Sequence, residues 1–146
     1  MIRDYVWRAV TFTLIVSGVT VGAARAQDIP DLKGTWTGLG TGVAIGPSPY
    51  VAGSEGVHFP DVEFTIVIEQ QKDRRFVGQI EAAGRKETIV GVIAPDLDEG
   101  VMVDADGYYN FELDDADTIE LCYQHNLADS KLASCYRLTR SGSPQP

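Results

Sequence analysis

The segment that decides the fold reads IELCYQ at residues 119–124 and ASCYRLT at residues 133–139. In both halves apolar and polar residues alternate, which is typical of β-strands with one buried face. The halves are separated by a short polar stretch, so they are expected to pair as an antiparallel hairpin. The hairpin carries Cys122 and Cys135, the two cysteines of the chain.

One register of this hairpin satisfies three requirements together. If Cys122 faces Cys135, then Glu120 faces Arg137 on the same face of the sheet and forms a cross-strand ion pair. On the opposite face the apolar pairs are Leu121 with Tyr136 and Ile119 with Leu138. We therefore predict a disulfide on the outer surface, which closes a loop of about 14 residues and stabilises the fold by on the order of 3 kcal/mol. Two free thiols are the alternative.

Alternation also governs most of six earlier predicted strands, of which residues 88–93 are apolar on both faces. They are residues 34–43, 64–69, 76–81, 88–93, 101–103 and 109–113. Most connections between them are short polar turns, among them Asp106-Gly107, a dipeptide typical of hairpins. Eight strands with short connections predict an all-β, eight-stranded antiparallel up-and-down barrel, because closure removes the exposed sheet edges. A sandwich of two open sheets is the alternative.

The N-terminal residues have the pattern of a signal peptide. Arg3 and Arg8 flank a short polar start, an apolar run follows at residues 9–24, and Ala24-Arg25-Ala26 is a small-x-small cleavage site. A membrane anchor is the alternative, but the run is shorter than the ~20 apolar residues that span a bilayer. We expect cleavage after Ala26, a single β-barrel domain at residues 27–140 and a disordered tail at residues 141–146. The mature protein is then periplasmic or secreted, without membrane insertion after processing.

The charge of the chain argues against two partners, nucleic acid and anionic lipid surfaces. The full chain has a net charge of −9. Loss of Arg3, Asp4, Arg8 and Arg25 with the leader leaves 9 basic and 20 acidic residues, a net charge of −11. Binding to nucleic acid or to anionic lipid needs clustered Lys and Arg to replace counterions. We expect neither partner, and the composition leaves the oligomeric state open.

Residues 32–38, which read LKGTWTG, resemble the first strand of the calycins, the superfamily of lipocalins, fatty-acid-binding proteins and avidins. Gly34 and Trp36 match the Gly-x-Trp of that strand. The resemblance implies that an Arg near the last strand packs on the indole and closes the barrel, and Arg137 or Arg140 can supply it. Parity favours Arg140, because Arg137 points outward with Cys135. The overall likeness is to small exported bacterial calycin-like barrels without an assigned activity.

Two branches resemble the chain only in part. Avidins line their biotin site with several Trp and with polar groups at the end of the first strand, where this chain has Gly38 and Gly40. Biotin binding is therefore not expected. Periplasmic metalloprotease inhibitors are also small exported barrels, and they insert an N-terminal tail into the protease, a role that residues 27–30 would take here. Those inhibitors place the disulfide early in the chain, whereas Cys122 and Cys135 lie in the last two strands.

The sequence lacks the residue sets that carry catalysis. His58 and His125 have no second ligand at zinc spacing, and no nucleophile or phosphate-loop motif is present. The acidic turns lack the spaced ligands of a calcium loop and are interpreted as solvated turns. We expect a protein that is not an enzyme and has no metal site and no cofactor.

A long irregular segment at residues 44–61 is either a lid or a surface excursion. As a lid, Tyr50, His58 and Phe59 would cover an apolar pocket lined by Tyr109 and Phe111. The first functional interpretation is a non-enzymatic periplasmic or secreted barrel that binds a small apolar ligand. The alternative is a protein-interaction or protease-inhibitor-like barrel with a filled core, whose partner is a periplasmic protein.

Overall fold

The computed structural model describes residues 28–47 and 56–142. Nine β-strands lie in this part of the chain. Their bounds are β1 Gly34–Ile45, β2 Val57–His58, β3 Asp61–Lys72, β4 Arg75–Ala82, β5 Arg85–Ile93, β6 Glu99–Val103, β7 Tyr108–Asp115, β8 Thr118–Asn126 and β9 Lys131–Arg140. Within the described residues no helix is long and apolar enough to cross a membrane.

Eight of these strands close into an antiparallel barrel, which confirms the predicted fold class. Each of β3 to β9 pairs with the strand before it in the order β1-β3-β4-β5-β6-β7-β8-β9, and β1 also pairs with β9. The turn between β4 and β5 is made by Ala83 and Gly84, which both have positive φ, as a two-residue hairpin turn requires. The two-residue strand β2 pairs with the end of β1 and lies outside the closed ring.

The long segment at residues 44–61 is more regular at its ends than its composition indicates. Strand β1 continues to Ile45, and β2 pairs back onto it with Ala44 opposite His58. Backbone pairing thus extends the ordered barrel wall into a stretch rich in Gly and Pro. The predicted signal peptide at residues 1–26 and residues 143–146 of the predicted tail lie outside the described residues. Ser141 still donates its backbone N–H to the carbonyl of Thr35 at 2.7 Å.

The register of the last hairpin is the predicted one. Cys122 pairs with Cys135 and Glu120 with Arg137, and the apolar pairs lie on the other face. A disulfide joins the two cysteines, whose Cα atoms are 4.1 Å apart, and both residues are exposed on the outside of the barrel. Arg137 forms an ion pair with Glu120 and donates a second hydrogen bond to Asp114 at 2.5 Å.

The base of the barrel is closed by Trp36 and Arg140. Trp36 is completely buried, and its indole N–H donates to the carbonyl of Leu32 at 2.9 Å. The Arg140 guanidinium lies 4.1 Å from the centre of the indole ring and donates to the Asp117 carboxylate at 3.0 Å. The calycin resemblance implies this stacking of a planar cation on an aromatic face, and strand parity selects Arg140 for it.

The N-terminal segment is fastened across the same end. Gln71 accepts the backbone N–H of Leu32 at 2.8 Å and donates its amide to the carbonyl of Pro30 at 2.7 Å. Leu32 is buried in the core, whereas Asp28 and Ile29 are exposed. The chain therefore joins the barrel base at Pro30.

The core lies inside the ring and consists of alternate residues of every long strand. Three of its aromatic rings lie over glycines on the neighbouring strand: Tyr136 over Gly40, Phe76 over Gly91 and Phe111 over Gly100. A methyl group added at any of these glycines would come within 2.1–2.3 Å of the ring. The absent side chains thus provide the space in which the rings pack.

Candidate functional site

The interior of the barrel contains little free volume between the described residues. A void of about 20 Å³ near the mouth is bordered by Phe64, Tyr109 and Tyr136. A void of about 10 Å³ near the base is bordered by Trp36, Phe111 and other core side chains. Each has room for about one water molecule, since a water needs roughly 10–15 Å³, whereas pockets for organic ligands measure roughly 300–1,000 Å³.

A chain of hydrogen bonds holds the mouth end together. Tyr123 donates to Asp106 at 2.7 Å and lies 3.0 Å from His125 Nδ1. His125 Nε2 lies 2.9 Å from Ser130 Oγ, which donates to the carbonyl of Pro47 at 2.8 Å. These contacts connect the turn between β6 and β7, strand β8, the turn that follows β8 and Pro47, two residues beyond the end of β1.

These hydrogen bonds place the Ser130 hydroxyl beside His125, a pairing also found in serine hydrolases, but here both residues are buried. His125 and Ser130 are each only 5% exposed, and the Ser130 hydroxyl donates to a backbone carbonyl. A nucleophile needs a substrate path and a base that accepts its proton. The arrangement satisfies buried polar groups, and we assign it a structural role.

The sequence-predicted ligand residues lie in different places. Tyr109 and Phe111 are buried inside the barrel and border different voids. His58 is on β2 with Nδ1 3.4 Å from the carbonyl of Gly56, and Phe59 is 79% exposed. Tyr50 lies outside the described residues. A lid over an apolar pocket therefore stays a prediction.

Burial raises the pKa of two tyrosines inside the barrel, Tyr109 and Tyr136. It raises the pKa of Tyr136 to about 12. Burial, with the hydrogen bond to Asp104, raises the pKa of Tyr109 far above its ordinary value. Both phenols are therefore neutral hydrogen-bonding groups at physiological pH.

Three carboxylates come together at the mouth. Glu87, Asp104 and Asp106 each place one oxygen within 4.8 Å of the others. Both aspartates already accept tyrosine hydroxyls, Asp104 from Tyr109 at 2.6 Å and Asp106 from Tyr123 at 2.7 Å. We assign no ion to this group.

The outer face of the barrel has a much larger hollow, which we call the outer groove. It measures about 710 Å³ and extends over β5 to β9 and β1. Outward-pointing residues on its floor include Leu39, Val92 and Val101 and the disulfide between Cys122 and Cys135. Leu39 is 56% and Val101 is 49% exposed, so the floor presents apolar surface to solvent.

Register explains why these side chains are neighbours. Val92 lies opposite Val101, Val101 opposite Asn110, and Asn110 opposite Cys122. Directly opposed residues point to the same side of a sheet. One row across four strands therefore continues from β5 to the disulfide, and Cys135 pairs onward with Thr41.

A row of glutamates borders the groove toward the base. Glu99 lies opposite Glu112, and Glu112 lies opposite Glu120. The same three glutamates line a second hollow of about 420 Å³, together with Asp96, Asp98 and Asp114. Groove and acidic hollow therefore form one continuous surface, apolar on one side and anionic on the other.

Sequence reasoning did not find this surface, although one signal was present. Residues 88–93 read as apolar on both faces, and an outward apolar face is unusual on a barrel strand exposed to water. The glutamates occur in three separate segments, and only the register across three strands brings them into a row.

Comparison with known proteins does not indicate a function, so the functional assignment depends on the geometry. No protein-family model matches the chain, and no curated protein matches it.

Proposed function

We propose that this chain is a non-enzymatic, exported protein-interaction barrel, whose interior is structural and whose outer face binds a partner protein. The observation that carries the proposal is the contrast in free volume. The interior voids have room for about one water each, and the outer groove measures about 710 Å³.

The volumes weigh against a small apolar ligand inside the barrel. Such a ligand would need most of its surface buried in a pocket of roughly 300 Å³ or more. Aromatic rings that pack over glycines occupy that space here, for example Phe76 over Gly91. Filling the interior with side chains is one of the two options open to an eight-stranded barrel.

Export is supported by the disulfide and by the pattern of residues 1–26. Disulfides persist in oxidising compartments such as the periplasm or the extracellular space. The leader pattern ends at Ala26, so the mature chain would begin at Gln27.

Native mass spectrometry of protein exported by a bacterial host tests the interior and the export together. We expect the mass of residues 27–146 with both thiols oxidised and no bound small molecule. A retained apolar adduct would favour the ligand-binding function, and a mass that includes residues 1–26 would contradict processing.

Site-specific photocrosslinking tests the partner. A photoreactive phenylalanine analogue at Val101 on the outer face is expected to give a defined protein crosslink in the exported compartment. The matched position is Val57, which is also exposed but lies on β2 outside the outer groove. The proposal fails if neither position, nor a scan of outward positions around the barrel, gives a protein crosslink.

A further inference from the structure

The outer groove and the acidic hollow differ in chemistry along one shared border. We infer that their occupant is an extended, cationic segment of a partner protein in which Lys or Arg side chains alternate with apolar ones. This inference rests on the proposed function and specifies its site and partner class.

The apolar half of the occupant follows from the groove floor. Leu39, Val92 and Val101 are exposed aliphatic side chains on the groove floor. When a partner covers exposed apolar surface in a concave site, the burial stabilises the complex in proportion to the area removed from water. Apolar side chains of the partner would cover this floor.

The cationic half follows from the glutamate row. Like charges directly opposite each other on neighbouring strands destabilise a sheet. Among the described residues neither Glu99 nor Glu112 forms an ion pair, whereas Glu120 pairs with Arg137. Cations of a partner would relieve the repulsion between Glu99 and Glu112.

Geometry favours a peptide over a single small cation. Neighbouring strands are about 4.8 Å apart, so the row of three glutamates extends over roughly 10 Å. In an extended chain, side chains two residues apart point the same way and are roughly 7 Å apart. Two basic residues separated by one apolar residue can therefore reach two of the carboxylates while the apolar side chain faces the floor.

The net charge of this surface is negative, which also favours a cationic occupant. Six carboxylates line the two hollows, Asp96, Asp98, Glu99, Glu112, Asp114 and Glu120, against the guanidiniums of Arg74 and Arg137. Charge complementarity of this kind speeds association and excludes acidic competitors.

The test uses a fluorescein-labelled octapeptide in which Lys alternates with Leu and Val, titrated with residues 27–146 and followed by anisotropy. Two control peptides replace Lys by Glu, or Leu and Val by Ser. We expect saturable binding of the first peptide, at least tenfold weaker binding of both controls, and marked weakening as salt rises.

Variants locate the site. Glu99→Gln with Glu112→Gln is expected to weaken binding at least fivefold, and Val101→Thr at least threefold. The matched controls Glu69→Gln and Val57→Thr change exposed residues outside both hollows and should bind like the parent. Circular dichroism melts of each variant exclude loss of folding as the cause.

Amide chemical shifts of ¹⁵N-labelled protein separate failure of this inference from failure of the proposed function. Shifts confined to the residues of β5–β9 and β1 around the groove support the inference. Shifts at another face, or equal binding by the groove variants, overturn it and leave a protein-binding barrel with a different site. If the peptide does not bind and the Val101 photocrosslinker captures an acidic or uncharged segment, the cationic partner is likewise overturned.

Discussion

The inner and outer faces of β5 to β9 are built from alternate residues of the same strands, yet they differ in almost every property. The inner face packs rings and aliphatic chains until voids of about 10 and 20 Å³ remain. The outer face leaves a hollow of about 710 Å³, with exposed valines on its floor and glutamates along its border.

The difference separates stability from recognition along each strand. Because side chains alternate between faces, a residue can change on the outside without altering the packing of its neighbours inside. The inner face determines whether the barrel folds, and the outer face is free to carry a binding surface.

Replacing the largest of the fully buried side chains should have the largest effect. We expect Trp36→Ala to lower the free energy of unfolding by about 3–5 kcal/mol, because it creates a cavity and removes the surface on which Arg140 stacks. Urea denaturation followed by circular dichroism measures the change. Leu39→Ala, on the outside of the same strand, should change stability by no more than about 0.5 kcal/mol. Equal losses in the two variants would break the contrast between the faces.

The disulfide is the outer feature expected to contribute most to folding. We expect the double variant Cys122→Ala with Cys135→Ala to lose about 3 kcal/mol, chiefly because the unfolded chain gains freedom when a loop with a sequence separation of 13 is opened. Denaturation of the parent with and without reductant provides the control. A double variant as stable as the parent would show that the bridge does not constrain folding.

The sequence predicted the last hairpin in most detail, because several requirements had to agree there. The cysteines, the pair Glu120 and Arg137, and the apolar alternation all select one register, and the structure has it. The pairing of Trp36 with Arg140 followed from a resemblance together with strand parity.

Elsewhere the sequence supplied the strands but no anchor for their relative positions. Register shifts between Ile68 and Gln70 and between Leu113 and Asp115 depend on local backbone geometry, which alternation does not encode. The glutamate row depends on two correct registers at once, those of β6 with β7 and of β7 with β8, and the groove depends on the curvature of the closed wall. The candidate site therefore could not be predicted from the sequence pattern, although the outward apolar residues of segment 88–93 were one sign of it.

Alkaline pH should weaken the barrel through its buried phenols. The folded-state pKa of Tyr136, about 12, is higher than its ordinary value of 10.0. The stabilisation is therefore fully present below pH 10 and is lost as pH rises from 10 to 12. Since one pKa unit corresponds to about 1.4 kcal/mol, Tyr136 contributes on the order of 2–3 kcal/mol.

Urea midpoints measured across this pH window should fall, and Tyr136→Phe should reduce the slope of the midpoint against pH. A parent whose midpoint is constant from pH 10 to 12 would contradict burial of the phenol.

A single added methyl group tests how full the interior is. Gly100→Ala would place a Cβ 2.3 Å from the Phe111 ring and 2.5 Å from the carbonyl oxygen of Val92. We expect a loss of about 1–3 kcal/mol, the usual cost of overpacking a core. Val101→Thr, one residue along on the outer face, should be within about 0.5 kcal/mol of the parent. Thermal denaturation of the three proteins measures the difference, and a tolerated Gly100→Ala would contradict close packing of the interior at this point.

The smallest expected effect has the opposite sign. Glu112 lies between Glu99 and Glu120 in the sheet, so Glu112→Gln removes two repulsive neighbours and no ion pair among the described residues. We expect stability to rise by a few tenths of a kcal/mol at low salt, and the gain to shrink as salt screens the charges. Urea denaturation at two ionic strengths measures it, with Glu69→Gln as the control for loss of one negative charge. A variant that gains stability while it loses affinity for the cationic peptide would show that the glutamate row is maintained for binding and at some cost to folding. A variant that loses stability would mean that the row has favourable contacts of its own, and the argument from repulsion would fail.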